Sequence, residues 1–177
     1  MPNNKLTEPT VNFMWNQMPL VALVVLCAIA ALLSDRFLSP ININNILMQG
    51  AVMTVIAIGM TYVIICGGFD LSVGSVVALS GCIGAAVMLE YGIVAGIAAG
   101  ILVGALVGCV NGFIVTKLDV NPFIATLGTM VLFRGATFLI TDGQPIVGED
   151  GLPDLFVDFA TERLFGVPFL VWFPILL

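Results

Sequence analysis

Five stretches of about twenty residues each, almost free of charge, constrain this chain more than any other feature of its sequence. An α-helix rises about 1.5 Å per residue, so about 20 apolar residues cross the hydrocarbon core of a bilayer. Backbone polar groups inside a bilayer must be satisfied within the protein, and stretches of this length favour helices over a barrel. We therefore predict an all-α, polytopic membrane protein with five complete transmembrane helices, at residues 18–34, 46–66, 71–89, 91–116 and 122–141.

The two ends of the chain differ from this middle part. Residues 1–17 are predicted to form a polar N-terminal tail, and residues 18–177 a transmembrane domain. Residues 166–177 are apolar but too few to cross a bilayer, so we expect the truncated start of a sixth helix in a longer protein. A cleaved signal peptide is the alternative for the first stretch, because Ala28-Ile-Ala30 resembles a cleavage site. The long preceding segment without net positive charge favours an uncleaved helix.

Composition excludes several classes of protein. Of the 177 residues, 60% are apolar and 9% are charged. Too few charges are present to cover the surface of a soluble enzyme, and five Lys and Arg form no basic face for a nucleic acid. The chain has no His, and its four Cys show no CxxC spacing. We therefore expect no metal site and no His-activated nucleophile.

Acidic residues concentrate after the fifth stretch, in residues 142–165. We predict an acidic, solvated loop there. A cation site is the alternative, although the spacing does not match an EF-hand. The acidic residues of this segment are Asp142, Glu149, Asp150, Asp154, Asp158 and Glu162.

The orientation in the membrane rests on Lys and Arg alone. With the N-terminus in the cytoplasm, Lys5 and Lys117 lie inside, and Arg36 and Arg163 lie outside. This count is a tie. The position of Lys117 in a short loop favours the N-terminus inside, which places the acidic loop outside.

Glycine recurs at every fourth residue along the fourth stretch. Small residues at this spacing let membrane helices approach closely. Because each four-residue step drifts around the helix by about 40°, one partner cannot follow the whole series. We therefore predict a central helix with at least two neighbours. The helix-packing glycines are Gly92, Gly96, Gly100, Gly104, Gly108 and Gly112.

Two polar positions within or between the apolar stretches allow two interpretations each. Gly67 and Gly68 permit a chain reversal, after which Asp70 is expected to cap the next helix. Alternatively, Asp70 lines a pathway or transmits motion. Arg134 either snorkels or pairs structurally, or it lies in a solute pathway.

Two sequence blocks resemble those of a known family. Gly67-Gly-Phe-Asp-Leu-Ser-Val-Gly-Ser75 resembles the signature of the permease subunits of ribose-type ABC sugar importers. A second block, within residues 111–146, is similar in order and spacing, although Asn121 stands where many relatives have a second proline. The resemblance covers roughly residues 46–146. The motif residues are Gly67, Gly68, Asp70, Ser72, Gly74, Asn121, Pro122 and Arg134.

The resemblance implies a fold, partners and a location. It implies the N-terminal half of a multi-pass permease in the bacterial inner membrane. The family's permeases pair as homodimers or heterodimers, bind cytoplasmic ATP-binding subunits, and receive a monosaccharide from a periplasmic sugar-binding protein. The chain itself would use no cofactor, since ATP is used by the partner subunits, and it would catalyse no covalent step.

Neutral polar side chains inside the predicted spans agree with a sugar as the solute. A sugar needs hydrogen-bonding amides and hydroxyls, whereas an ion-coupled carrier usually places carboxylates or His in the membrane. For any single Ser or Thr, a bond to the backbone or to a neighbouring helix is the alternative role. Three other classes of protein remain open: an ion-coupled carrier or channel, a membrane-embedded enzyme, and a non-transporting helix-packing subunit. The candidate pathway residues are Gln49, Thr61, Asn111, Thr126 and Thr129.

Overall fold

The computed structural model describes residues 8–148 and 151–176, with side chains from Gln17 onward. The chain divides into two compact units, Met1–Leu47 and Met48–Leu177. Helices α1 to α5 span Glu8–Leu33, Pro40–Ile65, Val73–Tyr91, Ile93–Lys117 and Pro122–Thr141. The shorter elements that follow are α6 (Asp154–Thr161), β1 (Arg163–Leu164), β2 (Val167–Pro168) and α7 (Phe169–Leu176).

The first unit contains α1, a short turn and the start of α2. Helix α1 begins at Glu8, so part of the predicted polar tail is helical, while residues 1–7 lie outside the described part. Ser39 Oγ accepts a hydrogen bond from Asn42 N (3.3 Å), and Pro40 occupies the first helical position. Serine before a helix and proline at its first residue are strong start signals. Helix α2 therefore begins six residues before the predicted boundary at residue 46.

Four helices, α2 to α5, are long and apolar enough to cross a membrane. In α1 the described apolar stretch, Gln17–Leu33, is shorter than a span of that kind. The prediction of a polytopic helical membrane protein is thus confirmed, whereas the count of five complete spans is not. Helix α5 has the predicted bounds because its start is specified locally. Asn121 Oδ1 accepts from Phe123 N (2.9 Å), and Pro122 is the first helical residue.

Glycines in α3 and α4 bring these two antiparallel helices into backbone contact. A Cβ at Gly96 would overlap the Cβ of Met88 and lie 2.7 Å from the Gly84 carbonyl oxygen. A Cβ at Gly100 would lie 3.3 Å from the Ser80 carbonyl oxygen. Glycine is therefore needed at Gly96 for this packing and is favoured at Gly100, as the spacing of small residues predicts.

The rest of the glycine series has other surroundings. Gly92 lies between the helices, with φ of 88°, and reverses the chain there. Gly104, Gly108 and Gly112 have open space where a Cβ would be. Helix α4 contacts both α3 and α5, but α3 packs extensively against both neighbours, so the more central helix is α3 and not α4.

The segment after α5 is not a plain loop, and the fold is not purely helical. Helix α6 precedes an antiparallel hairpin in which Arg163 pairs with Pro168 and Leu164 with Val167. Its turn residues Phe165 and Gly166 both have positive φ, the conformation of a tight two-residue hairpin. The acidic loop was predicted from composition, which does not register such short elements. Of its acidic residues, Glu149 and Asp150 lie outside the described part.

Candidate functional site

The link between α2 and α3 carries the most specific sequence motif and forms a tight reversal. Gly67, with φ of 76°, donates its N–H to the Ile64 carbonyl (2.9 Å), and Gly68 N donates to the Val63 carbonyl (2.9 Å). A positive φ just after a helix is the usual role of glycine at a helix C-terminus. The predicted reversal at these glycines is confirmed. Gly74, the second residue of α3, is exposed, and a Cβ at this position would have no atom within 4 Å.

Asp70 organises the residue at the N-cap of α3. Its Oδ1 accepts from Ser72 N (2.7 Å) and from Ser72 Oγ (2.6 Å). Ser72 itself is the N-cap residue, and its side chain makes no capping bond. The prediction that Asp70 caps the helix is therefore corrected: α3 starts at Val73, and Asp70 holds the N-cap residue in place.

Hydrogen bonds from this link reach both α4 and α5. Asn111 Nδ2 donates to Ser72 Oγ (2.8 Å), across 39 positions of sequence. Leu71 N donates to Thr126 Oγ1 (3.1 Å), while Thr126 Oγ1 donates to the Pro122 carbonyl (2.8 Å). Ser72, Asn111 and Thr126 are all buried. We call the set of Asp70, Ser72, Asn111 and Thr126 the polar junction, since it ties the start of α3 to its two neighbours.

One buried atom of the polar junction has no partner. Among the described residues, Asn111 Oδ1 is the buried side-chain atom without a hydrogen bond. Ser72 Oγ carries one hydrogen, which it donates to Asp70, so toward Asn111 it acts as an acceptor. The Asn111 amide is thereby oriented with its NH2 group toward Ser72, and its carbonyl oxygen is left unpaired. Leaving such an acceptor buried costs about 1–3 kcal/mol.

A cavity of about 250 Å³ lies beside the polar junction. It is smaller than the roughly 300–1,000 Å³ typical of sites for drug-sized ligands. Gly108 and Gly112, whose Cβ positions are open, form part of its wall together with Asn111. The other residues that line it are Val63, Gly68, Phe69, Asp70, Val115, Thr116, Pro122 and Thr126.

The structure joins only some of the predicted pathway residues. Asn111 and Thr126 meet at the polar junction, and Thr129 lies buried near it, with its hydroxyl donating to the Thr126 carbonyl (3.3 Å). Gln49 and Thr61 are exposed on α2, and Thr61 Oγ1 donates to the Ala57 carbonyl of its own helix (2.8 Å).

Two further observations concern Arg134 and Ser72. Arg134 is exposed on α5, where it lines a surface groove with Gly135 and Phe138. Sequence reasoning placed Ser72 in the motif but missed its role as the residue that bonds Asp70 and Asn111 together. The Asp-x-Ser spacing was the signal for the local bond, since Asp side chains often accept from the amide two residues on.

The fold and this site define a class of protein. Among the described residues, membrane-length helices pack around buried polar side chains that are all uncharged, and there is no cluster of metal-ligating side chains. This is a multi-pass membrane protein with a small, largely apolar cavity beside a buried polar junction. The profile of the family described as "Branched-chain amino acid transport system / permease component" matches residues 42–176, well over half of the chain. The chain therefore belongs to this family of transport permeases.

Curated relatives with similar sequences are transport permeases as well. The chain is 45% identical over 162 residues to the ribose import permease protein RbsC of Haemophilus influenzae, covering 90% of this chain and 50% of the relative. It is 47% identical over 152 residues to RbsC of Bacillus subtilis, with coverage of 85% and 47%. The L-arabinose transport system permease protein AraH of Escherichia coli K12 is 36% identical over 163 residues, with coverage of 91% and 49%. The chain thus spans about half the length of the curated relatives it matches. A comparison with solved structures gives no significant match.

Proposed function

We propose that this chain is the N-terminal half of the membrane subunit of an ATP-driven importer, and that the importer moves a monosaccharide. The observation that carries the proposal is the set of solutes given in the names of the curated relatives. Proteins that are 34–47% identical to this chain are permeases for ribose, D-allose and L-arabinose. These three solutes are neutral, polyhydroxylated and of similar size.

The buried polar groups support a neutral solute. None of the buried polar side chains of the described residues is charged. These side chains are Ser72, Ser75, Asn111, Thr126 and Thr129. Coupling to protons would usually place carboxylates or His inside the membrane, and this chain has no His. An interior without buried charged side chains therefore favours ATP hydrolysis by a partner subunit as the energy source.

Five transmembrane spans belong to the proposal. Helix α1 is the span that we add to the four membrane-length helices α2 to α5. We place the N-terminus in the cytoplasm and the acidic segment outside. In this orientation the link between α2 and α3, the Lys117 end of α4 and the start of α5 lie on the cytoplasmic side. The location that suits an importer of this family is the bacterial inner membrane.

Partner subunits complete the proposed machine. Two cytoplasmic ATP-binding subunits drive alternation between two packings of a permease dimer, and the sugar, delivered by a periplasmic binding protein, crosses along the permease. Within this chain we assign Asn111 and Thr126 to the pathway because they line the cavity beside the polar junction. We propose that the pathway also includes Gln49, Thr61 and Thr129, in other packings of the permease helices.

A branched-chain amino acid is the second candidate solute, favoured by the description of the family profile. Such a solute carries both a carboxylate and an ammonium group, so its path needs fixed charges or helix ends. Asp70 is the one ionisable group that lines the cavity beside the polar junction. An amino acid should therefore compete poorly with a sugar.

Stimulation of ATP hydrolysis by the solute tests the proposal. The full-length permease is reconstituted in proteoliposomes with its ATP-binding subunits and the sugar-binding protein. ATP hydrolysis should rise when the binding protein is loaded with ribose, arabinose or allose, and should not rise with leucine. A rise with leucine alone would transfer the assignment to amino acids, and no response to any solute would indicate a helix-packing subunit.

A further inference from the structure

We propose that the carbonyl oxygen of Asn111 is the hydrogen-bond acceptor by which the permease recognises one hydroxyl group of the transported sugar. This inference rests on the proposed function and deepens it, because it assigns the reading of a particular hydroxyl to a single atom. It also assigns Ser72 and Asp70 the role of positioning residues, which act through Asn111.

The first step of the argument is the orientation of the amide. A free Asn side chain offers a donor and an acceptor, and rotation by half a turn exchanges them. At the polar junction this exchange is disfavoured, because it would cost the hydrogen bond from Ser72 Oγ to Asp70 Oδ1. Asp70 Oδ1 takes the single hydrogen of Ser72 Oγ, so Ser72 Oγ accepts from the Asn111 NH2 group (2.8 Å). A ligand beside Asn111 therefore meets an acceptor, and the matching group on a sugar is a hydroxyl.

The second step is the combination of a missing partner with an adjacent space. Asn111 is 7% exposed, and its Oδ1 has no partner among the described residues. The same residue lines the cavity of about 250 Å³, where Gly108 and Gly112 leave the wall without side chains. A buried acceptor that lacks a partner, on a residue that lines a small cavity, is a place where a ligand group or an ordered water is expected.

The third step concerns access. Asn111 Oδ1 is closed to solvent in this packing of the helices. A sugar hydroxyl can therefore bond to this oxygen only after the cavity wall has shifted. A permease that alternates between two packings of its helices provides such a shift. Val63 and Gly68 belong to that wall, and they lie at the end of α2 and in the link that the polar junction holds.

Sugar analogues that each lack one hydroxyl group test the assignment in the complete importer. Transport rates are measured at saturating concentrations of the loaded binding protein, so that its own preferences do not enter. For the native protein, one deoxy analogue should move roughly 3- to 10-fold more slowly than the parent sugar. In Asn111→Leu, transport of the parent sugar should slow to the rate measured for that analogue. The ratio of the two transport rates should fall to about one. This is a double-mutant cycle between one hydroxyl and one side chain.

Controls separate recognition from structure. Thr137→Val removes a half-buried hydroxyl on α5 that bonds only its own helix, and it should leave every ratio unchanged. Ser72→Ala should reduce the ratio for the same analogue, because it releases the amide. If Asn111→Leu does not accumulate in membranes, Asn111→Ala serves instead.

Three results would overturn the inference. The native protein could transport all deoxy analogues as fast as the parent sugar. The Asn111 variants could slow the parent and every analogue by one common factor, which is what an ordered water or a purely structural role would give. The ratio could also survive unchanged in these variants. Failure of the native importer to move any sugar with ATP would be a different result, since it would contradict the proposed function itself.

Discussion

Asp70 accepts two hydrogen bonds from Ser72. Both bonds require an acceptor oxygen, but they do not require a negative charge. Asn at this position offers the same oxygen, so Asp70→Asn should retain most of the assembled protein and most of the uptake. Asp70→Leu removes the acceptor and should lower the amount of assembled permease several-fold, measured by quantitative blotting of membranes. Normal amounts of Asp70→Asn without uptake would show that the negative charge itself is required.

Thr126 provides a second test at the scale of single residues. Its hydroxyl is the acceptor for Leu71 N, so Thr126→Val leaves that amide without its partner. The free energy of unfolding in detergent should fall by about 1–3 kcal/mol. Thr126→Ser keeps the oxygen and should lose less, and Thr137→Val, whose hydroxyl bonds only its own helix, is the matched control. Equal losses in Thr126→Val and Thr137→Val would contradict the role given to the bond with Leu71.

Helix boundaries could be predicted from sequence where the signal is local. Asn121 and Pro122 specify the start of α5, and the prediction was correct there. At α2 the signals were present in Ser39 and Pro40, but the prediction followed hydropathy and began the helix too late. The short elements after α5 were missed because hairpins of two-residue strands leave almost no trace in composition.

The packing partners of a helix could not be predicted from its own pattern. Six regularly spaced glycines indicated close approach, but the pattern cannot say which of them meets a neighbour. That depends on Gly84 and Met88 in α3, which happen to face Gly96. The same limit applies to the polar junction, because the bond between Ser72 and Asn111 joins residues 39 positions apart.

A matched pair of glycine variants tests the packing of α3 against α4. Gly96→Ala places a methyl group against Met88 and the Gly84 carbonyl, so it should force the helices apart and lower the thermal stability of the purified protein. Gly104→Ala has open space within this chain and should cost little. Similar stability of the two variants would contradict the close contact of α3 with α4.

At the scale of the whole molecule, the proposed orientation is open to chemical labelling. In a variant without its native cysteines, Phe37→Cys should react with a thiol reagent that does not cross the membrane when the reagent is added outside. Leu118→Cys, next to Lys117, should react only after the membrane is opened. The reverse pattern would place the N-terminus outside and would transfer the polar junction to the periplasmic half.

ATP-driven uptake of a labelled monosaccharide by the reconstituted full-length protein tests the central claim most directly. The account predicts uptake that needs ATP, the ATP-binding subunits and the sugar-binding protein together, and that an ion gradient cannot replace. Uptake that follows an ion gradient in the absence of ATP and of these partners would contradict it.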